Sequence, residues 1–324
     1  PLDPDEGSWG GLTRAADDRP SLVLCAAVNL SEPGVVPPGR RAGSFTFSSD
    51  HVGGPDVGYV AADDFWATVP VARRKDLTIP SAMAISGAAF SPAMGKANLG
   101  PIGAALALAN LRLGVWLPHP SRFSTDAPER RRPAPPDHAA WWRRHRPGWP
   151  WLFRELTNTY AWDADHLYVS DGGHWENLGL VELLRRGCTE IICVNAGGDG
   201  RHGFGTISEA IALAREELGV EVDLDPSPLR PALTAEAGSA RELRRDDGGI
   251  EAFSAAAHVE GTLRYRDGTE GRLVLIEPAL TADLPFDVHG YAEAEPVFPD
   301  DSTGDQVFDH RQFEAYRRLG RHQT

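Results

Sequence analysis

Asp171 is the side chain of this sequence best placed to do chemistry. It follows the apolar run His166-Leu-Tyr-Val-Ser170 and is itself followed at once by Gly172 and Gly173. A carboxylate at the end of a strand, beside two glycines, sits where backbone can come close to a substrate. From there it could take the proton of a serine hydroxyl directly, with no histidine between them. His174 is near enough in sequence to suggest a third member, but a lone histidine after a turn reads more simply as a surface or capping residue. The plainest alternative for Asp171 is a turn-forming Asp-Gly. Cys25, Cys188 and Cys193 lack the spacing of metal ligands. Neither a metal nor a cofactor is expected.

Elements must hold Asp171 in place. Residues 166–170 have the β-branched and aromatic content of a strand. After the turn, Leu180, Leu183 and Leu184 fall at helical spacing, with Asn177 as N-cap, Arg185 and Arg186 near the C-terminal end, and Gly187 as the stop. A second strand follows at residues 190–194. Strand, helix and strand with no hairpin turn between them read as a βαβ unit, which predicts an α/β fold with three layers and a mainly parallel central sheet. Asp171 would then stand at the carboxyl end of a strand, where such sheets bind ligands. Further strands are expected at residues 21–29, at 44–48 with Phe45 and Phe47 on one face, and at 256–265 and 271–277 joined through Asp267-Gly268. Thr78 and Pro80 mark a helix start, and residues 208–218 and 309–319 read as helices.

The stretch His166-Leu-Tyr-Val-Ser-Asp-Gly-Gly-His-Trp-Glu-Asn-Leu-Gly179 resembles the aspartate segment of patatin-like phospholipases, in particular large bacterial ones. Residues 79–95, around Ala84-Ile-Ser-Gly-Ala88, are similar to the segment that lies between nucleophile and aspartate in that group. Residues 298–306 and 312–320 look like its C-terminal signature. The resemblance implies a serine–aspartate dyad that hydrolyses the acyl esters of phospholipids or other lipids. Asp171 would be the base, and Gly172, Gly173, Ser86 and Gly87 would support the site. It also implies a serine on a Gly-x-Ser-x-Gly elbow well upstream, and no such motif occurs: Ser8 in Gly7-Ser-Trp-Gly10 has only the trailing glycine, and Ser86 has neither at the required place. The chain therefore reads as a single patatin-like α/β domain, residues 1–324, lacking the nucleophile-elbow part. It would be inactive alone and dependent on an upstream segment for the nucleophile. A non-catalytic patatin-like binding or scaffold module is the alternative.

Composition bounds these readings. The chain has 324 residues, of which 41% are hydrophobic and 24% charged, enough for a sizeable core. Its net charge of −14 argues against nucleic acid as a partner, since phosphate binding needs a positive footprint. Residues 118–151 are rich in proline, carry Arg130, Arg131, Arg132, Arg143, Arg144 and Arg146, and contain Trp141, Trp142, Trp149 and Trp151. They read as an insertion or lid packed by its own tryptophans, with contact to an anionic membrane surface as the functional option. Residues 99–118 are the most hydrophobic window, but Pro101, Asn110 and Arg112 favour a buried or interfacial helix over a membrane span. The expected location is cytoplasmic, with membrane association as a possibility. Gly198-Asp-Gly-Arg-His-Gly203 matches the dinucleotide pattern G-x-G-x-x-G after a strand, which keeps a nucleotide-binding α/β protein as a third reading.

Overall fold

The computed structural model describes residues 20–31, 40–68, 78–87, 93–94, 97–98, 114–122, 151, 154, 157, 159–197, 203–231, 253–301 and 307–323. The chain divides into two compact units, Pro1–Gly179 and Leu180–Thr324.

The first unit is built on a six-stranded sheet. Its strands are β1 (Val23–Asn29), β2 (Ala42–Ser48), β3 (His51–Gly54), β4 (Gly58–Ala61), β7 (Val115–Pro118) and β8 (His166–Asp171), with a separate short pair, β5 (Ala93–Met94) and β6 (Ala97–Asn98). The order across the large sheet is β4-β3-β2-β1-β8-β7, and every neighbouring pair is antiparallel. Alternation sends Ala26, Val28, Phe45, Phe47, Leu167 and Val169 into one apolar core. Phe45 and Phe47 share a face as their spacing predicts, with ring centroids 5.2 Å apart. Helix α1 (Ala62–Thr68) and helix α2 (Ile79–Ser86) close that core with Phe65, Ala82 and Ile85. Helix α2 starts where Thr78 and Pro80 place it. The Thr78 hydroxyl accepts from the Ser81 N–H and the Ser81 hydroxyl accepts from the Thr78 N–H, a reciprocal cap that contributes about 1 kcal/mol. Tyr160, Tyr168 and Trp116 pack together in a smaller aromatic cluster.

The second unit holds a four-stranded sheet in the order β10-β11-β12-β9, from β9 (Glu190–Val194), β10 (Glu221–Leu224), β11 (His258–Arg264) and β12 (Glu270–Ile276). The Asp267-Gly268 turn joins β11 to β12, with Gly268 at φ +88°. Helix α3 (Leu180–Arg185) ends at Gly187, which takes φ +73°. The Gly187 N–H reaches the Leu184 carbonyl and the Cys188 N–H reaches the Leu183 carbonyl, the paired bonds of a Schellman stop. Arg185 and Arg186 do more than face a helix dipole: both guanidinium groups clasp the buried Glu182 carboxylate, and Arg185 also reaches Glu217 on helix α4 (Gly205–Leu218). Helix α5 (Phe286–Ala294) and helix α6 (His310–Gln323) share a cluster with Phe298. Here the two C-terminal stretches singled out in the sequence meet. The Asp301 carboxylate accepts from the Tyr316 hydroxyl at 2.6 Å and from the Gln312 amide at 3.1 Å. Burial, helped by the bond to Asp301, pushes the Tyr316 phenol far above its ordinary range.

The expected mainly parallel, three-layer α/β sheet is not what forms. Strand β8 lies between β1 and β7, antiparallel to both, and β9 belongs to the other sheet, where it pairs with β12. Among the described strands, β9 and β12 are the only parallel pair. That expectation took strand, helix and strand with no hairpin turn between them as a crossover, but β8 and β9 fall in different sheets; β8 itself is buried along residues 166–170. Burial on both faces, however, says that a strand is covered, and leaves the direction of its neighbours open. Residues 115–118, read within a helical window, are strand β7; residues 99–113 of that window lie outside the described residues, as do 123–150 of the insertion. Among the described residues no helix is long and apolar enough to cross a membrane.

Candidate active site

Asp171 is the last residue of β8, as expected, and stands opposite Ala26 of β1. Because the neighbouring strands run the other way, this edge is no row of carboxyl ends, and the crevice rule of parallel sheets does not apply to it. The position is made instead by a turn. Asp171 caps a single 3₁₀ turn, Gly172–His174, by accepting the Gly173 N–H on Oδ1 at 2.6 Å. The Trp175 and Glu176 N–H groups both reach the Gly172 carbonyl, closing the next step.

The two glycines are explained by packing. A Cβ on Gly172 would stand 2.6 Å from the Cys25 carbonyl oxygen, and one on Gly173 would stand 2.0 Å from Asn177 Oδ1. Neither glycine takes a positive φ. What the Gly-Gly pair allows is close approach of the turn to strand β1 and to its own continuation, rather than an unusual backbone angle. Asn177 is therefore not the helix N-cap: α3 begins at Leu180 after Gly179 at φ +69°, and the Asn177 amide lies against Gly173. The rest of the stretch braces itself as well. The Glu176 carboxylate accepts the Leu178 N–H, and Arg40 donates to the Trp175 carbonyl at 2.7 Å.

Ser86 comes to the same place from helix α2, which packs on β1 and β8. Its hydroxyl donates to the Cys25 carbonyl, the oxygen against which Gly172 is pressed, while Gly87 ends the helix with its N–H on the Met83 carbonyl. Ser86, Gly172 and Asp171 thus gather around residues 25–26 of β1, and Gly87 follows Ser86 at the helix end. The Ser86 proton is directed to a carbonyl and away from Asp171, which suits a supporting residue better than a nucleophile. Ser8 lies outside the described residues.

His174 forms no triad with Asp171. Successive side chains leave a strand on opposite faces: Leu167 and Val169 enter the large core, whereas Tyr168 joins the aromatic cluster beyond it. Ser170 therefore points away from Asp171, and it is Ser170 that bonds His174, Oγ to Nδ1 at 3.0 Å. Asn29 completes that group by donating to Ser170 Oγ at 2.9 Å. Sequence reading missed Asn29, Ser170 and Arg40. No local signal marks them, since Asn29 meets a residue 141 positions away.

Half-buried Asp171 makes no ion pair with any described residue, and its one side-chain hydrogen bond among them is the Gly173 N–H on Oδ1. Among the described residues no group of histidine, cysteine and acidic side chains could hold a metal ion. Comparison with protein-family models, with curated proteins and with solved structures found no match in any of the three. Of the Gly198–Gly203 motif, Gly198 to His202 lie outside the described residues. Helix α4 begins at Gly205, three residues earlier than the sequence suggested, after Phe204 in the left-handed region at φ 55°.

Proposed function

We propose that this chain supplies the aspartate base of a patatin-like lipid acyl hydrolase. The substrate would be a carboxylic ester of a phospholipid or another acyl lipid, and the nucleophilic serine would come from an upstream segment. The observation that carries the reading is the Asp171 carboxylate: one oxygen is fixed by the Gly173 N–H and the group is free of any ion pair with described residues. A base needs that combination of fixed orientation and unneutralised charge. The resemblance of residues 166–179, 79–95 and the C-terminal stretches supports it in sequence. The antiparallel sheet bears on ancestry rather than on chemistry, because a reaction is argued from its site.

The serine hydroxyl gives its proton to Asp171 as its oxygen attacks the acyl carbon, and Asp171 returns that proton to the departing alcohol. Water then repeats the cycle on the acyl-serine, releasing the fatty acid. This chain's share is to hold one carboxylate through the 3₁₀ turn, with small residues around Ser86 bordering it. Contact with an anionic membrane through the arginine- and tryptophan-rich residues 118–151 is part of the same proposal.

A second reading, a non-catalytic binding or scaffold module, is favoured by one observation. Asp171 and Ser86 both spend a hydrogen bond on the fold itself, to Gly173 and to Cys25. A fluorophosphonate probe separates the two. On the hydrolase reading the 324-residue chain takes up no label at serine, while a longer polypeptide carrying an upstream Gly-x-Ser-x-Gly is labelled there in stoichiometric amount. Labelling of Ser86 within this chain, or no labelling of the longer one, would overturn the proposal.

A further inference from the structure

We infer that Ser170 and His174 are positioning residues that hold the Asp171 turn shut. The inference rests on Asp171 being the working carboxylate. The hydrogen bonds assign their own direction. The Asn29 side chain faces the Tyr168 carbonyl at 3.3 Å, a group that only accepts, so its amide nitrogen is the atom on that side; the same nitrogen donates to Ser170 Oγ at 2.9 Å. Ser170 therefore accepts from Asn29 and has its single proton for His174 Nδ1, 3.0 Å away. Nδ1 is the acceptor, which leaves the ring proton on Nε2.

The geometry gives this chain of bonds its consequence. Ser170 is the residue before Asp171 and His174 is the last residue of the 3₁₀ turn that Asp171 caps. A bond between them spans Asp171, Gly172 and Gly173 and ties both ends of the turn together, with the Gly173-to-Asp171 bond enclosed. Asn29 and Ser170 are buried, at 2% and 0% exposure, so the anchor is fixed to the middle of the sheet. A 3₁₀ turn of three residues has little stability of its own. Without the Ser170–His174 tie, the turn opens and the carboxylate loses its direction.

The test reads the Gly173 amide in the chain itself. With selective ¹⁵N-glycine labelling, the Gly173 signal is the one missing from the spectrum of Gly173→Ala. In Ser170→Ala and in His174→Ala, each folded by circular dichroism, it should lose its downfield position. Its hydrogen exchange should quicken about tenfold, the factor that goes with losing one buried hydrogen bond. His174→Asn offers a carboxamide oxygen to the Ser170 hydroxyl and should restore most of both properties, which a purely steric role for the ring would not. An unchanged Gly173 amide in the two alanine variants, or no difference between His174→Asn and His174→Ala, would overturn the inference. Failure of the hydrolase reading shows separately, as full hydrolysis by Asp171→Asn in the longer polypeptide while Gly173 still responds to its anchors.

Discussion

The Cys25 carbonyl oxygen lies 2.6 Å from the point where a Cβ on Gly172 would stand, and that same oxygen receives the Ser86 hydroxyl. One carbonyl of β1 thus registers both helix α2 and the Asp171 turn. Gly172→Ala forces a Cβ against main chain, which cannot yield cheaply, and should cost roughly 1–3 kcal/mol in a urea unfolding curve. Gly173→Ala meets a side chain instead, Asn177 Oδ1, and that side chain can be removed. The double variant Gly173→Ala, Asn177→Ala should recover at least about 0.5 kcal/mol of the loss, whereas Asn177→Ala should rescue nothing in Gly172→Ala. Equal rescue of both would show that the two glycines are not explained by these contacts.

Glu182 is buried in the second unit and bonded by both Arg185 and Arg186. Glu182→Gln leaves Arg185 with Glu217, and Arg186 with no such partner among the described residues. About 2–3 kcal/mol of stability should go, less than for a fully buried pair because Arg186 keeps access to water. Glu217→Gln, at the outer end of the cluster, should cost about 1 kcal/mol or less. A larger loss from Glu217 than from Glu182 would contradict this ranking.

Tyr316 ties helix α6 to Asp301, and its phenol is raised mainly by burial. A raised pKa means that the folded state keeps the proton to higher pH than the unfolded chain does. The stabilisation is therefore complete below the ordinary tyrosine range, near pH 10, and is lost as pH climbs above it. Tyr316→Phe should cost about 1 kcal/mol at neutral pH and should flatten the alkaline loss of stability seen in the native chain. A Tyr316→Phe protein whose unfolding midpoint falls with alkaline pH as steeply as the native one would count against the assignment.

The local elements were largely readable. The spacing of Phe45 and Phe47, the Thr78 cap, the Gly187 stop and the Asp267-Gly268 hairpin are each set within a few residues, and each is where its side chains put it. Strand direction was not readable, because it is decided by partners far along the chain: Ala26 for Asp171, Val115 for Val169 and Leu273 for Ile191. The same distance hid the site's surroundings. Asp171, Gly172 and Gly173 announce themselves as a carboxylate at a tight turn. Asn29 and Cys25, which anchor that turn from strand β1, look in sequence like ordinary members of a buried strand.

The most direct test of the central claim is ester hydrolysis by a polypeptide that joins this chain to an upstream segment carrying Gly-x-Ser-x-Gly, measured for the native sequence and for Asp171→Asn. Asparagine keeps the shape and can still accept the Gly173 N–H through its carbonyl oxygen, so the fold should persist. Loss of the base should lower kcat by about 10²–10⁴ with the circular dichroism spectrum and unfolding midpoint nearly unchanged. Undiminished hydrolysis by Asp171→Asn would contradict the assignment of Asp171 as the catalytic base.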